Sequence, residues 1–134
     1  MNAETQRRRE NINDLSSEVI GAAIEVHQAL GPGLLESVYE LALCHELALR
    51  EVCYERQKPL PLIYKGRSIE PDYRLDLLIE NQLVVELKAI DKLAALHEVQ
   101  VLTYLRLSGM KLGLLINFNV PILVQGVRRI ANKL

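Results

Sequence analysis

The stretch Asp72-Tyr-Arg-Leu-Asp-Leu-Leu-Ile-Glu-Asn-Gln-Leu-Val-Val-Glu-Leu-Lys-Ala89 holds two runs rich in Leu, Val and Ile. Between them lies Glu80-Asn81-Gln82, a polar interruption short enough for a hairpin turn. Side chains alternate between the faces of a strand. Leu75, Leu77 and Ile79 are therefore expected on one face, joined by Leu83, Val85 and Leu87 of the next strand. Asp76, Glu86 and Lys88 fall on the opposite face.

Loop length decides what those polar residues meet. A three-residue loop sets Asp76 across from Glu86 and Arg74 across from Lys88. A two-residue loop would set Asp76 against Val85, and such a one-residue slip turns a whole face over. The apolar pattern selects the three-residue loop. Cross-strand neighbours lie about 4.5–5.5 Å apart at Cβ, a span that suits two carboxylates gripping one divalent cation. The plainer alternative is a wet hairpin face with a surface pair between Glu86 and Lys88, worth roughly 0–1 kcal/mol.

An acid on one strand followed by Glu86-x-Lys88 on the next resembles the metal site of the PD-(D/E)XK nuclease superfamily. There the two acids hold Mg²⁺ and prepare a water for phosphodiester hydrolysis. A second resemblance lies upstream, where Gly33-Leu-Leu-Glu36-Ser-Val-Tyr39 matches the Gly-x-x-Glu-x-x-Tyr signature of the GxxExxY family, a branch of that superfamily. In members with an acid on the first core helix, the residue at Glu36 is a further metal ligand. Read without the resemblance, Glu36 is an acid in a first helical turn, stabilising the helix dipole by about 0.3–1 kcal/mol. Tyr39 either packs beside Glu36 or enters the core. Gln100-x-x-x-Tyr104, on the helix after the Glu-x-Lys strand, is similar to a pair that borders the site in exonuclease-like branches. His97 shares its stripe. Pro71-Asp72 spells a rival motif, yet with Asp76 opposite Glu86, Asp72 falls opposite Ile90, beyond the Glu-x-Lys.

The rest of the chain frames this stretch. Asp14 is a plausible N-cap for a helix with Leu15, Val19, Ala22, Ala23, Val26 and Leu30 on one stripe, ended by Gly31-Pro32-Gly33. A second helix is expected from about Leu34 to Arg50. Pro59 and Pro61 mark Tyr54 to Tyr64 as an edge or irregular strand, and Lys65-Gly66-Arg67 turns into the hairpin. A helix from about Lys92 to Ser108 would bury Leu93, Leu96, Val99, Leu102 or Thr103, and Leu107. The run Leu112-Gly-Leu-Leu-Ile-Asn-Phe118 reads as a central strand, with a last strand over Ile122 to Val127. Together these make a mixed α/β arrangement, and the resemblance implies a single restriction-endonuclease-like αβββαβ domain over residues 14–134, its mixed central sheet flanked by helices. A polar lead-in, residues 1–13, carries Arg7-Arg8-Arg9. The resemblance spans about Asp14 to Ile130.

With 134 residues, 49% of them apolar and 25% charged, the chain is long enough for one core without metal or disulfide staples. No apolar run approaches the roughly 18 residues of a membrane span, and the N-terminus has no signal-peptide core. A cytoplasmic protein is expected. Cys44 and Cys53 read as reduced, buried residues. The net charge of -1 is low for a protein that grips duplex DNA through many phosphates.

The resemblance implies a mechanism. Asp76 and Glu86, with the carbonyl of Leu87 and with Glu36, hold Mg²⁺ or Mn²⁺; Lys88 positions the water or meets charge building on the phosphate; Gln100 and Tyr104 orient substrate or Lys88. Nucleic acid, DNA before RNA, is the expected partner, and a homodimer is compatible with it. Two other readings stay open. One is a non-catalytic nuclease-like interaction or regulatory module, which the near-neutral charge suits. The other is a hydrolase of a small phosphorylated ligand.

Overall fold

The hairpin closes as the apolar pattern requires. Ile79 pairs with Leu83, Leu78 with Val84 and Leu77 with Val85, leaving Glu80, Asn81 and Gln82 as the loop. Glu80 and Asn81 take left-handed φ values of 51° and 55°, and the Gln82 N–H bonds back to the Ile79 carbonyl at 2.9 Å. The computed structural model of the protein describes residues 11–133, apart from the side chains of residues 70–72. The expected lead-in with Arg7-Arg8-Arg9, and the side chain of the rival Asp72, lie outside the described residues.

In chain order the elements are helix α1 (Ile12–Leu30), helix α2 (Glu36–Leu49), strands β1 (Tyr54–Tyr64), β2 (Arg67–Ile79) and β3 (Leu83–Lys88), helix α3 (Ala95–Ser108), strand β4 (Leu112–Asn117), a 3₁₀ turn (Leu123–Gly126) and strand β5 (Val127–Ala131). The five strands lie in sequence order across one sheet. β1–β2, β2–β3 and β4–β5 are antiparallel, while β3 and β4 are parallel and joined through α3. This is a mixed α/β fold with the αβββαβ core. The proline-bearing β1 is an edge strand, as its missing N–H donors favour.

Two apolar layers hold the sheet. Leu15, Val19 and Ala23 of α1 and Tyr39, Leu43 and Leu47 of α2 pack on Leu77, Ile79, Leu83, Val85 and Leu87. Val101, Tyr104 and Leu105 of α3 pack on Leu78, Val84 and Leu115 from the other side. Gly113 of β4 permits the close approach of α3, since a Cβ there would stand 2.9 Å from a Val101 methyl. No described helix is long and apolar enough to cross a membrane.

Several expectations are corrected. Asn11, not Asp14, caps α1: its side chain accepts from the backbone N–H groups of Asn13 and Asp14. Leu30, at the end of that stripe, is exposed. Leu75 does not share a face with Leu77, because it packs with Leu60, Leu78 and Val84 in the α3 layer. The β2–β3 pairing ends at Leu77 and Val85, so beyond it β2 is free to twist and alternation fails at Asp76. For the same reason Arg74 does not face Lys88; its guanidinium bonds the Gln57 carbonyl at 3.2 Å. Of the apolar stripe expected on α3, Leu93 and Leu102 pack against the core cluster on the α3 side of the sheet, whereas Leu107 is exposed. Leu96 and Val99 are exposed, and Val101, Tyr104 and Leu105 face the sheet. The last strand is Val127–Ala131; Leu123 and Gly126, three apart and both buried, follow 3₁₀ spacing instead. Cys44 is buried but Cys53 is exposed.

Candidate active site

The site begins at the loop before α2. Gly31 and Gly33 take φ values of 71° and 97°, which let the chain reverse between helices. No side chain caps α2. Tyr39 fastens the loop: its hydroxyl donates to the Gly31 carbonyl at 2.5 Å and accepts the Leu34 N–H at 3.1 Å. Its ring stacks on Phe118 with centroids 4.5 Å apart. Of the two readings of Tyr39, entry into the core is the observed one, and it also fixes the turn that presents Glu36. Tyr39→Phe keeps the stack but strands two backbone groups, at a cost of about 1–3 kcal/mol. Urea denaturation should show that loss; an unchanged midpoint would mean that water replaces the hydroxyl.

Asp76 and Glu86 are tied reciprocally across the end of the hairpin. The Asp76 N–H donates to Glu86 Oε1 at 3.0 Å, and the Leu87 N–H donates to Asp76 Oδ2 at 2.8 Å. Glu86 is buried, 7% exposed. Among the described residues no Lys or Arg forms an ion pair with either acid. Burial, and then the negative charge of Asp76, push the Glu86 carboxyl up to about 9, against the opposing pull of Lys88. Partial desolvation and the charge of Asp76 likewise raise the Glu36 carboxyl, with Lys88 again opposing. The fold thus gathers Glu36, Asp76, Glu86 and Lys88 into one electrostatic neighbourhood.

Gln100 donates to the Tyr104 hydroxyl at 3.0 Å. Burial, and then the charge of Glu86, raise the phenol of Tyr104, which places that pair on the α3 side of the carboxylates. His97 is otherwise engaged: its Nδ1 accepts the Ala94 N–H at 2.9 Å and caps α3.

Other residues complete the surroundings without having been singled out from the sequence. Buried Glu40 accepts from Arg56 Nε at 2.6 Å and Gln57 Nε2 at 2.8 Å. The same Gln57 amide lies 3.4 Å from Asp76 Oδ1, directed there from a backbone with φ of 54°. Asn117 bonds the N–H and carbonyl of Ile90, at 3.1 and 2.8 Å, so the chain leaving Lys88 is pinned to β4. Glu40 was legible, standing four residues beyond Glu36 on one helical face. Gln57 carried no such signal, because its role depends on a left-handed backbone.

No cluster of three or more His, Cys, Asp or Glu side chains among the described residues has the spacing to hold an ion. The Asp76–Glu86 pair nevertheless fits a hard divalent cation. It offers carboxylate oxygens, and burial with the charge of Asp76 pushes the carboxyl of its buried member up to about 9, further than Lys88 pulls it down.

A family model of the PD-(D/E)XK nuclease superfamily matches residues 13–130. The chain belongs to that superfamily. No curated protein matches it. Among solved structures, the crystal structure of SSO0001 is 19% identical with a TM-score of 0.45, the match covering 90% of this chain and 79% of that one. Membership of that superfamily points to a nuclease-like function and a nucleic-acid substrate, and PD-(D/E)XK nucleases generally use divalent metals.

Proposed function

We propose that this protein is a metal-dependent phosphodiesterase of the GxxExxY branch that hydrolyses nucleic acid, DNA in preference to RNA. The observation that carries the reading is the reciprocal lock between Asp76 and Glu86, with Lys88 two residues further along the same strand. Asp76 and Glu86 would hold Mg²⁺ or Mn²⁺, aided by the Leu87 carbonyl and Glu36. Such an ion supplies Lewis acidity toward the phosphodiester and lowers the pKa of its water.

The chain's own residues do the rest. Main-chain bonds from Asp76 and Leu87 fix one oxygen of each carboxylate, so the acids are oriented before substrate arrives. Lys88 brings a positive charge toward the oxygens on which negative charge develops. The Gln100–Tyr104 pair orients substrate from the α3 side. The -1 net charge favours a second reading, a non-catalytic module that uses the fold for interaction.

One assay separates the two. Single- and double-stranded DNA and RNA are incubated with Mg²⁺ or Mn²⁺, with an EDTA arm and with Asp76→Ala. Cleavage that disappears in both controls is the expected result. Cleavage that persists in Asp76→Ala, or none by the wild type on any substrate, would leave the non-catalytic reading in its place.

A further inference from the structure

The face of α3 turned away from the core carries a strip of apolar side chains. Leu96 is 74% exposed, Val99 54% and Leu107 40%. With Leu62 of β1 and the half-exposed Tyr73 of β2 they border a groove of about 300 Å³, at the small end of ligand clefts. Gln100 and Tyr104 also line it, so the groove is continuous with the candidate active site. The Tyr73 and Tyr104 rings lie 5.8 Å apart at their centroids, inclined at 47°.

We propose that this groove receives an unpaired nucleobase of a single-stranded nucleic acid, beside the phosphate presented to the carboxylates. The inference rests on the nucleolytic reading and adds the substrate's form. Two arguments support it. A chain of net charge -1 has little of the phosphate attraction that dominates binding of duplexes, so affinity must draw on something other than charge. Aromatic and apolar walls supply it, since stacking engages any base whose face is uncovered. In a duplex those faces are already stacked, and the groove would have nothing to hold. A second copy of the chain is the competing occupant. It would cover Gln100 and Tyr104 and close the approach to the acids.

The test measures binding without cleavage, by fluorescence anisotropy in EDTA and again in Ca²⁺. The probes are a labelled oligothymidylate, the same strand with abasic sites in place of its bases, and a duplex of equal length. Wild type should bind the oligothymidylate best. Tyr73→Ala and Val99→Asp should each weaken that binding roughly tenfold, leave the duplex and abasic strands unmoved, and melt near the wild type. Tyr73→Phe should retain the affinity. Equal binding of the intact and abasic strands, or no binding to any probe, would overturn the proposal. So would a wild-type dimer in sedimentation that Val99→Asp dissociates while oligothymidylate affinity stays unchanged, which would assign the groove to self-association. Base-dependent binding without cleavage would support the groove and refute the nucleolytic reading; cleavage without base dependence would do the reverse.

Discussion

Lys88→Ala is expected to lose roughly 10²–10³ in turnover while keeping its affinity for Mn²⁺, the scale set by charge-assisted stabilisation of a developing oxyanion. The division follows from chemistry. An ammonium group cannot ligate a cation, so its removal spares the acids and deletes a positive charge from beside the scissile phosphate. Lys88 ends β3, where its carbonyl accepts the Phe118 N–H at 2.9 Å, so truncating the side chain leaves the backbone fastened. Asp76→Ala should lose both turnover and metal affinity. Glu36→Gln should fall between, and Tyr104→Phe should cost least, because it removes one hydroxyl bonded to Gln100. Single-turnover cleavage alongside Mn²⁺ titration checks the order. A Lys88→Ala protein within a few-fold of wild type would place the chemistry elsewhere or in a contaminant.

The register that underlies these expectations was readable because two apolar strands with a period of two admit only one loop length. Where a strand has a neighbour on both sides, as Leu77 to Ile79 do, the sequence pattern and the structure agree. Where β2 runs on without β3, the pattern no longer dictates the face, and Leu75 turns to the opposite layer. Helix α3 misled for a related reason. Leu96, Val99 and Leu107 follow helical spacing and resemble a core stripe, yet they are exposed, and the sheet takes Val101, Tyr104 and Leu105 with Leu93 and Leu102 packed beside them. Helical periodicity identifies an apolar face without saying what covers it. The acids of the site were legible as types at spacings. Their supports were not: the Gln57 amide reaches Asp76 and Glu40 only through its left-handed backbone. The Tyr39 hydroxyl likewise depends on a turn whose shape is set by two glycines.

Without metal, the protein should lose stability as pH rises from 6 to 8.5, and Mn²⁺ should restore more at the upper end than at the lower. Glu86 determines the sign. In the unfolded chain its carboxyl ionises near the ordinary 4.5, whereas in the folded protein burial and Asp76 push it up to about 9. Between those values the folded state holds a proton that the unfolded state has released. The stabilising contribution is therefore complete below the lower value and drains away as pH climbs through the upper one. A cation at the two carboxylates needs Glu86 ionised, so its binding expels that proton and tightens with pH. Bound to the folded state alone, it raises the melting temperature by linkage. Glu86→Gln keeps the shape of the side chain and removes the titration. Its melting temperature in EDTA should stay flatter across this range and respond little to Mn²⁺. Thermal melts of both proteins in EDTA and in millimolar Mn²⁺, at pH 6 and pH 8.5, measure all of this at once. Parallel pH profiles for wild type and Glu86→Gln would show that the buried carboxyl is already ionised in the free protein. Equal Mn²⁺ shifts in the two would show that the ion, if bound, is held by other residues.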